Sequence, residues 1–251
     1  TTVTVNALPT VTATANQAVC AGASVTISGS GTLSYAWNNG VQNGVAFTPN
    51  ATITYTVTGT DANGCSNTAQ TTVTVNPLPA VSGGTNQAIC SGNTIVFKAT
   101  GGTNNIWYLT ESAMSSLSTA TNLNVNSTGN LGSEPFKITR WVSQKINECE
   151  SPRTAIEVLV PPALSASAGQ STTITSTSFY DTKAFVTARG GTPPYRFQWT
   201  TNTNAPILSP TDANPIIGPF STPGYVKITL HDQLNCIAQD SIYISLEANM
   251  S

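Results

Sequence analysis

The hexapeptide Thr-Thr-Val-Thr-Val-Asn at residues 1–6 returns unchanged at 71–76, and Leu8-Pro9 returns as Leu78-Pro79. Self-similarity at a fixed offset marks a chain built from copies of one supersecondary unit, so it constrains the fold more than any local motif does. The same offset of 70 residues pairs Asn16-Gln17-Ala18 with Asn86-Gln87-Ala88, Cys20 with Cys90, Gly22 with Gly92, Gly31 with Gly101 and Trp37 with Trp107. Residues 71–76 close the first copy. Their duplicate at 1–6 is therefore expected to be the last strand of a preceding repeat that lies outside this sequence.

A third, more divergent copy follows Pro161-Pro162 and aligns by its landmarks. Gly190-Gly191 stands for Gly101-Gly102, Trp199 for Trp107, and Asp-Gln-Leu-Asn-Cys at 232–236 for Asp-Ala-Asn-Gly-Cys at 61–65. The expected domains are 7–76, 77–161 and 162–248. Within the first copy, β-rich stretches at 10–14, 24–28, 34–37, 52–58 and 68–75 read as short strands. Asn39-Gly40, Asn43-Gly44 and Asn63-Gly64 supply the turns. Short strands with turn signals at this spacing predict an all-β chain of three tandem immunoglobulin-like β-sandwich domains arranged end to end. The second copy carries an inserted loop between Tyr108 and Pro135, in which 111–120 could form one helical turn.

Charged residues make up 8% of the chain against roughly 25% in ordinary soluble domains, and Thr, Ser, Asn and Gly hold the polar positions. With nine basic and eleven acidic residues and a net charge of -2, the chain has no electrostatic footprint for nucleic acid. No apolar run approaches the roughly 20 residues a membrane helix needs, so no membrane insertion is expected of this segment. The first residues lack the pattern of a secretory signal, which is expected to lie elsewhere.

Two segments then carry a resemblance. Tyr-Thr-Val-Thr-Gly-Thr-Asp-Ala-Asn-Gly-Cys at 55–65 and Gly-Gly-Thr-Pro-Pro-Tyr-Arg-Phe-Gln-Trp at 190–199 resemble the PKD-like and SprB-type repeats of type IX-secreted bacterial surface adhesins, associated with gliding motility. The second copy departs from the pattern, with Asn104-Asn105-Ile106 in place of Pro-Pro-Tyr and Asn147-Glu148 ahead of its cysteine. The resemblance implies a secreted protein on the bacterial cell surface, outside the outer membrane, with an adhesive or stalk role. In that family these repeats are scaffolds, so it implies no catalytic residue, and it names no ligand.

The residues themselves offer little chemistry. The single histidine, His231, aligns with Thr60 at a strand end and has no acidic partner in sequence, and no nucleophile elbow, phosphate loop or zinc motif is present. Neither catalysis, a metal nor a cofactor is expected. Asp61 and Asp232 read as turn formers rather than calcium ligands. Trp37, Trp107 and Trp199 read as core anchors on a central strand. Tyr108 and Trp141, with Trp107, form the one aromatic set worth weighing as a sugar platform. Asp240-Ser241-Ile242 resembles the short O-glycosylation site of the same bacterial group, with a plain strand as the alternative.

Five cysteines leave one over. Pairing within repeats would join Cys20 to Cys65 and Cys90 to Cys149. Yet Cys20 precedes the second strand and Cys65 falls well beyond Tyr55, which places them at opposite ends of a sandwich. A strand of five or six residues spans nearly 20 Å at roughly 3.3 Å per residue, beyond the ~7 Å limit for a disulfide. The other scheme joins consecutive repeats, Cys20 with Cys149 and Cys90 with Cys236, and leaves Cys65 for a preceding repeat. Both schemes stand at the level of sequence.

The leading expectation is a non-enzymatic structural or adhesive repeat segment of a large secreted surface protein, whose partners are neighbouring repeats of its own polypeptide. One alternative is a carbohydrate-binding accessory segment of a secreted polysaccharide-degrading enzyme, with surface polysaccharide as partner. Another is a self-assembling fibre subunit, in which residues 1–6 add as a strand to another copy.

Overall fold

The structure is a computed structural model and describes residues 1–84, 87–102, 104–127, 129–182 and 187–247. Asn86 of the repeat match and the expected domain end at 248 lie outside the described residues. The chain is all-β and forms tandem immunoglobulin-like sandwiches. Among the described residues the named helical element is one 3₁₀ turn, Asn38–Gly40.

One sheet pattern occurs three times. In the first repeat the larger sheet runs Gln17–Cys20, Ser66–Asn76, Ile53–Thr60, Ser34–Trp37, and its first pairing is parallel, with Gln17 opposite Val73 and Cys20 opposite Asn76. The second repeat gives Asn105–Tyr108, Phe136–Ile146, Thr154–Val160, Gln87–Ala88, again ending in a parallel pair with Gln87 opposite Val158. The third gives Thr172–Ile174, Ile237–Leu246, Gly224–His231, Arg196–Thr201, with Thr172 parallel to Ile244. The long antiparallel pairs alternate buried and outward residues. In Gly224–His231, Val226, Ile228 and Leu230 are fully buried, whereas Tyr225 and Lys227 face outward. That period of two is what a sheet with one dry face requires.

Several expected strands differ in extent. The stretch at 10–14 contributes only Thr12–Ala13, paired with Gly29–Ser30, and 24–28 is reduced to a single bridge between Val25 and Phe47. The expected helical turn at 111–120 is absent: this stretch holds turns and bends, and its one ladder contact joins Ser118 to Trp107. Residues 1–6 form no strand here, and Val3 and Val5 are 83% and 90% exposed.

The chain divides into two compact units. One comprises Thr1–Ser82, Thr100–Ile106 and Val142–Thr154, the other Gly83–Ala99, Trp107–Trp141 and Ala155–Ser251. The division between these units runs through the second repeat. In the first unit a core of Val25, Ile27, Trp37, Tyr55, Val57 and Val73 sits between the sheets. In the second, Trp199, Ile217, Phe220, Val226, Ile228 and Ile244 form the cluster of the third repeat. Ile95, Phe97 and Trp107 are fully buried in the same unit, and the Phe97 and Trp107 rings lie 6.4 Å apart.

The repeats also share a backbone requirement. Gly31 and Gly101 hold φ of +99° and +107°, and a Cβ at either would lie 2.1 Å from the Thr10 carbonyl oxygen or 2.4 Å from that of Ala80. Only a residue with no side chain fits a left-handed turn pressed against the backbone of another segment. This is the physical content of the glycine match at the repeat offset.

Candidate functional site

The turns between the two longest strands of the first and third repeats have the same internal bonding. In the first, Asp61 Oδ1 accepts the backbone N–H of Asn63 and of Cys65, both at 2.9 Å, while the Asp61 N–H donates to the Cys65 carbonyl at 3.0 Å. In the third, Asp232 Oδ1 accepts from Leu234 at 2.8 Å and Cys236 at 2.9 Å, and the Asp232 N–H donates to the Cys236 carbonyl at 3.2 Å. Gly64 and Asn235 supply the positive φ that each turn needs, at +80° and +61°. Asp232 is fully buried and its Oδ2 also accepts the Thr192 N–H at 2.8 Å. Both carboxylates are thus used in holding turns. The second repeat reaches its cysteine differently, through Asn147 and Glu148, both at positive φ, with Ile146 opposite Cys149.

These turns carry cysteines. Within the first unit Cys20 is disulfide-bonded to Cys149, with Cα atoms 5.5 Å apart. Within the second, Cys90 is bonded to Cys236, with Cα atoms 5.4 Å apart. Cys65 is a half-buried free thiol. Neither Cys20–Cys65 nor Cys90–Cys149 is formed, and the register explains the first of these. Cys20 lies beside Asn76, at the end of Ser66–Asn76, while Cys65 immediately precedes its start. A strand of that length keeps them roughly 35 Å apart at about 3.3 Å per residue.

The tryptophans anchor cores. Trp37, Trp107 and Trp199 are 8%, 0% and 1% exposed. Their indole N–H groups donate to Asn43 Oδ1 at 2.9 Å, the Ala120 carbonyl at 2.8 Å and the Asp212 carbonyl at 3.2 Å. The strands that carry them each lie at one end of their sheet path, not centrally as the sequence suggested. The side chains still point inward because alternation along a strand, not its place in the sheet, sets the facing.

The proposed sugar platform is corrected by burial. Tyr108 is 5% exposed and Trp107 fully buried, so neither offers a ring face to a saccharide, and Trp141 is only half-buried. A different aromatic pair faces outward in the third repeat. Tyr225 and Tyr243, directly opposite across the ladder, are 52% and 40% exposed, with ring centroids 5.0 Å apart in edge-to-face contact. Beside Tyr225 lies a recess of roughly 270 Å³ lined by Thr200, Thr201, Asn202, Lys227 and Ser241. The sequence signal was available in Gly224–His231, where Tyr225 and Lys227 alternate with the buried Val226 and Ile228.

His231 ends that strand opposite Arg196, in a shallow site lined by Arg196, Phe197, Gln198, Thr211 and Asn235. Ser241 is exposed on the outward face. Its neighbour Asp240 accepts the Ala168 N–H at 2.8 Å, so that carboxylate serves the fold. Burial raises the Tyr180 phenol above its ordinary pKa, and its hydroxyl donates to the Ala168 carbonyl at 3.1 Å.

Among the described residues no helix is long and apolar enough to cross a membrane, and no cluster of metal-binding side chains is present. No known family pattern matches the chain, and no curated protein matches its sequence. Among solved structures it is similar to three N-terminal domains of the outer capsid protein Hoc of bacteriophage RB49, at 8% identity and a TM-score of 0.43, over 96% of this chain and 99% of that one. It is also similar to the eight N-terminal immunoglobulin domains of the Down syndrome cell adhesion molecule, at 17% identity and a TM-score of 0.36, over 96% of this chain and 37% of that one. Immunoglobulin domains 1–5 of Sidekick-1 match at 14% identity and a TM-score of 0.32, over 96% and 58%. The chain spans less than two thirds of the length of the latter two.

Proposed function

We propose that this chain is a structural, adhesive repeat segment of a secreted bacterial surface protein of the type IX-exported kind, and that it performs no catalysis. The observation that carries the reading is the cysteine usage. Each disulfide joins a strand end of one repeat to the strand-connecting turn of the next, Cys20 to Cys149 and Cys90 to Cys236, so the covalent bonds fasten joints rather than cores. Such bonds persist in oxidising, extracytoplasmic surroundings. A joint locked this way transmits load between domains, which is what a stalk or adhesin requires. Antibodies raised against the folded chain should label intact cells that produce it, and the labelled protein should yield both linked peptides under non-reducing digestion. Labelling only after lysis, with all five cysteines alkylatable, would overturn the proposal.

A second reading, glycan binding, is favoured by the outward pair Tyr225 and Tyr243 beside the recess that holds Thr201, Asn202 and Lys227. Aromatic faces next to amide and hydroxyl groups suit a saccharide, whose rings present apolar C–H faces and polar edges. A polysaccharide array probed with the chain and with Tyr225→Ala tests it. Binding that disappears in the variant supports a ligand role, and equal binding by both excludes this face.

A further inference from the structure

We infer that Cys65 marks an interaction surface for a further sandwich of this same repeat type, which binds residues 1–6 as its closing strand and forms a disulfide to Cys65 from a cysteine equivalent to Cys20. This does not rest on the adhesive reading, because it comes from internal comparison of the repeats.

The first observation is the equivalence of the turns. The turn at 61–65 reproduces the turn at 232–236 bond for bond, from the carboxylate that accepts the cysteine N–H to the return bond onto the cysteine carbonyl. Cys236 is disulfide-bonded and Cys65 is not. Cys149, between the corresponding strands of the second repeat, is bonded too. Every cysteine in this structural position other than Cys65 therefore holds a partner from the strand end of another repeat.

The second observation is independent of the thiol. Residues 71–76 and 1–6 are the same hexapeptide, yet their surroundings differ. In the first setting Val73 is fully buried, paired with Ile53 on one side and Gln17 on the other. In the second, Val3 and Val5 are 83% and 90% exposed and unpaired. The occupant that satisfies this strand is one that supplies equivalents of Ile53–Thr60 and Gln17–Cys20 on its two flanks.

The two observations meet at one place. Cys20 lies opposite Asn76 in the parallel ladder, so the occupant's equivalent cysteine would lie beside Asn6. The chain that follows Asn6 is held to the turn region, since Asn67 Nδ2 donates to the Pro9 carbonyl at 3.0 Å, two residues from Cys65. The chemistry is a two-electron oxidation. Two thiols lose two protons and two electrons to form one disulfide, and a disulfide oxidant such as oxidised glutathione is reduced to two thiols.

The identity of the hexapeptides makes the test a direct graft. Residues 7–70 placed ahead of Thr1 regenerate a full copy of the first repeat, which residues 1–6 then close. The graft carries Cys65→Ser in the added copy only, and is refolded in a glutathione redox buffer beside the original chain. The expected result is no alkylatable thiol in the graft and one new linked peptide, joining the added copy's Cys20 to Cys65, beside one reactive thiol in the original chain. A further variant with Cys20→Ser in the added copy should restore that thiol. An open Cys65 in a graft that melts cooperatively and retains Cys20–Cys149 and Cys90–Cys236 would overturn the inference. A Cys65–Cys65 dimer would also overturn it, because the surface would then take a second copy of the chain. If neither graft folds, the inference fails as well, because residues 1–6 would not be closing a sandwich.

Discussion

Two side chains show how much of this protein depends on single polar atoms held away from water. Asp232 is fully buried, and its two oxygens take three backbone N–H groups, from Leu234, Cys236 and Thr192. Removing the carboxylate strands three donors, and hydrogen bonds to a charged group contribute about 1.5–3 kcal/mol each. Asp232→Ala should therefore destabilise by roughly 3 kcal/mol or more, whereas Asp61→Ala, whose turn is open to solvent and uses two such bonds, should cost about 1 kcal/mol. Urea denaturation of the two variants checks the order. Tyr180 gives a pH signature. Burial raises its pKa above the ordinary 10.0, so the folded state holds the proton more tightly than the unfolded state. The associated stability is fully present below about pH 10 and is lost as pH climbs through the raised value. Tyr180→Phe should lower stability at pH 8 by about 1 kcal/mol, for the lost bond to Ala168, and lose less than the parent between pH 9 and 11. Thermal melts across that range check it.

At the scale of strands and turns, the glycine at the repeat offset gives the sharpest expectation. Gly101 sits at φ +107° with the Ala80 carbonyl where a Cβ would go, so Gly101→Ala should cost about 2 kcal/mol or more. The same change at Gly92, whose added Cβ meets nothing within 4 Å, carries only the backbone penalty of φ +86° and should cost less. Comparing denaturation midpoints separates the two terms. Much at this scale was legible in the residues. The tryptophan strands, the Asn-Gly and Asp-containing turns and the outward alternation follow from period two and turn chemistry, which are local. What was not legible depends on distant backbone. Gln17–Cys20 has no alternation of its own and is a strand only because Ser66–Asn76 offers it a parallel ladder. The stretch 24–28 alternates well yet forms a single bridge, because the facing chain makes the reciprocal pair of bonds only between Val25 and Phe47 and meets Ile27 through the Gly44 N–H alone. The segment 111–120 has helix-compatible residues, but it folds as turns and bends tied to the sheet by the Ser118 bridge to Trp107. Tyr108 looked available for ligands and is buried beside the buried Trp107, so strand alternation, which would turn one of two neighbours outward, did not reveal it.

For the molecule as a whole, the decisive feature is that the two disulfide loops interleave along the sequence, Cys20 to Cys149 across a separation of 129 and Cys90 to Cys236 across 146. Closing a loop of such length stabilises by about 5 kcal/mol in the chain-entropy treatment. The double variant Cys20→Ser with Cys149→Ser should lower the melting temperature, and it should do so as a separate, earlier transition confined to the first unit. Calorimetry with hydrogen exchange at Val57 and Val226 distinguishes this from uniform loss. The parallel strands have a consequence of another kind. With 8% charged residues, the chain has few lysines to guard exposed ladder edges against a neighbour's backbone. Gln17–Cys20, Gln87–Ala88 and Thr172–Ile174 lie along the closing strand of each sheet. At the opposite end, the N–H groups of Trp107 and Trp199 are already taken by Ser118 and Pro210. At these two positions the edge is covered by backbone instead of repelled by charge, and that protection is indifferent to salt. A strand edge closed in this way offers a neighbouring chain no free donor there, in brine as in fresh water.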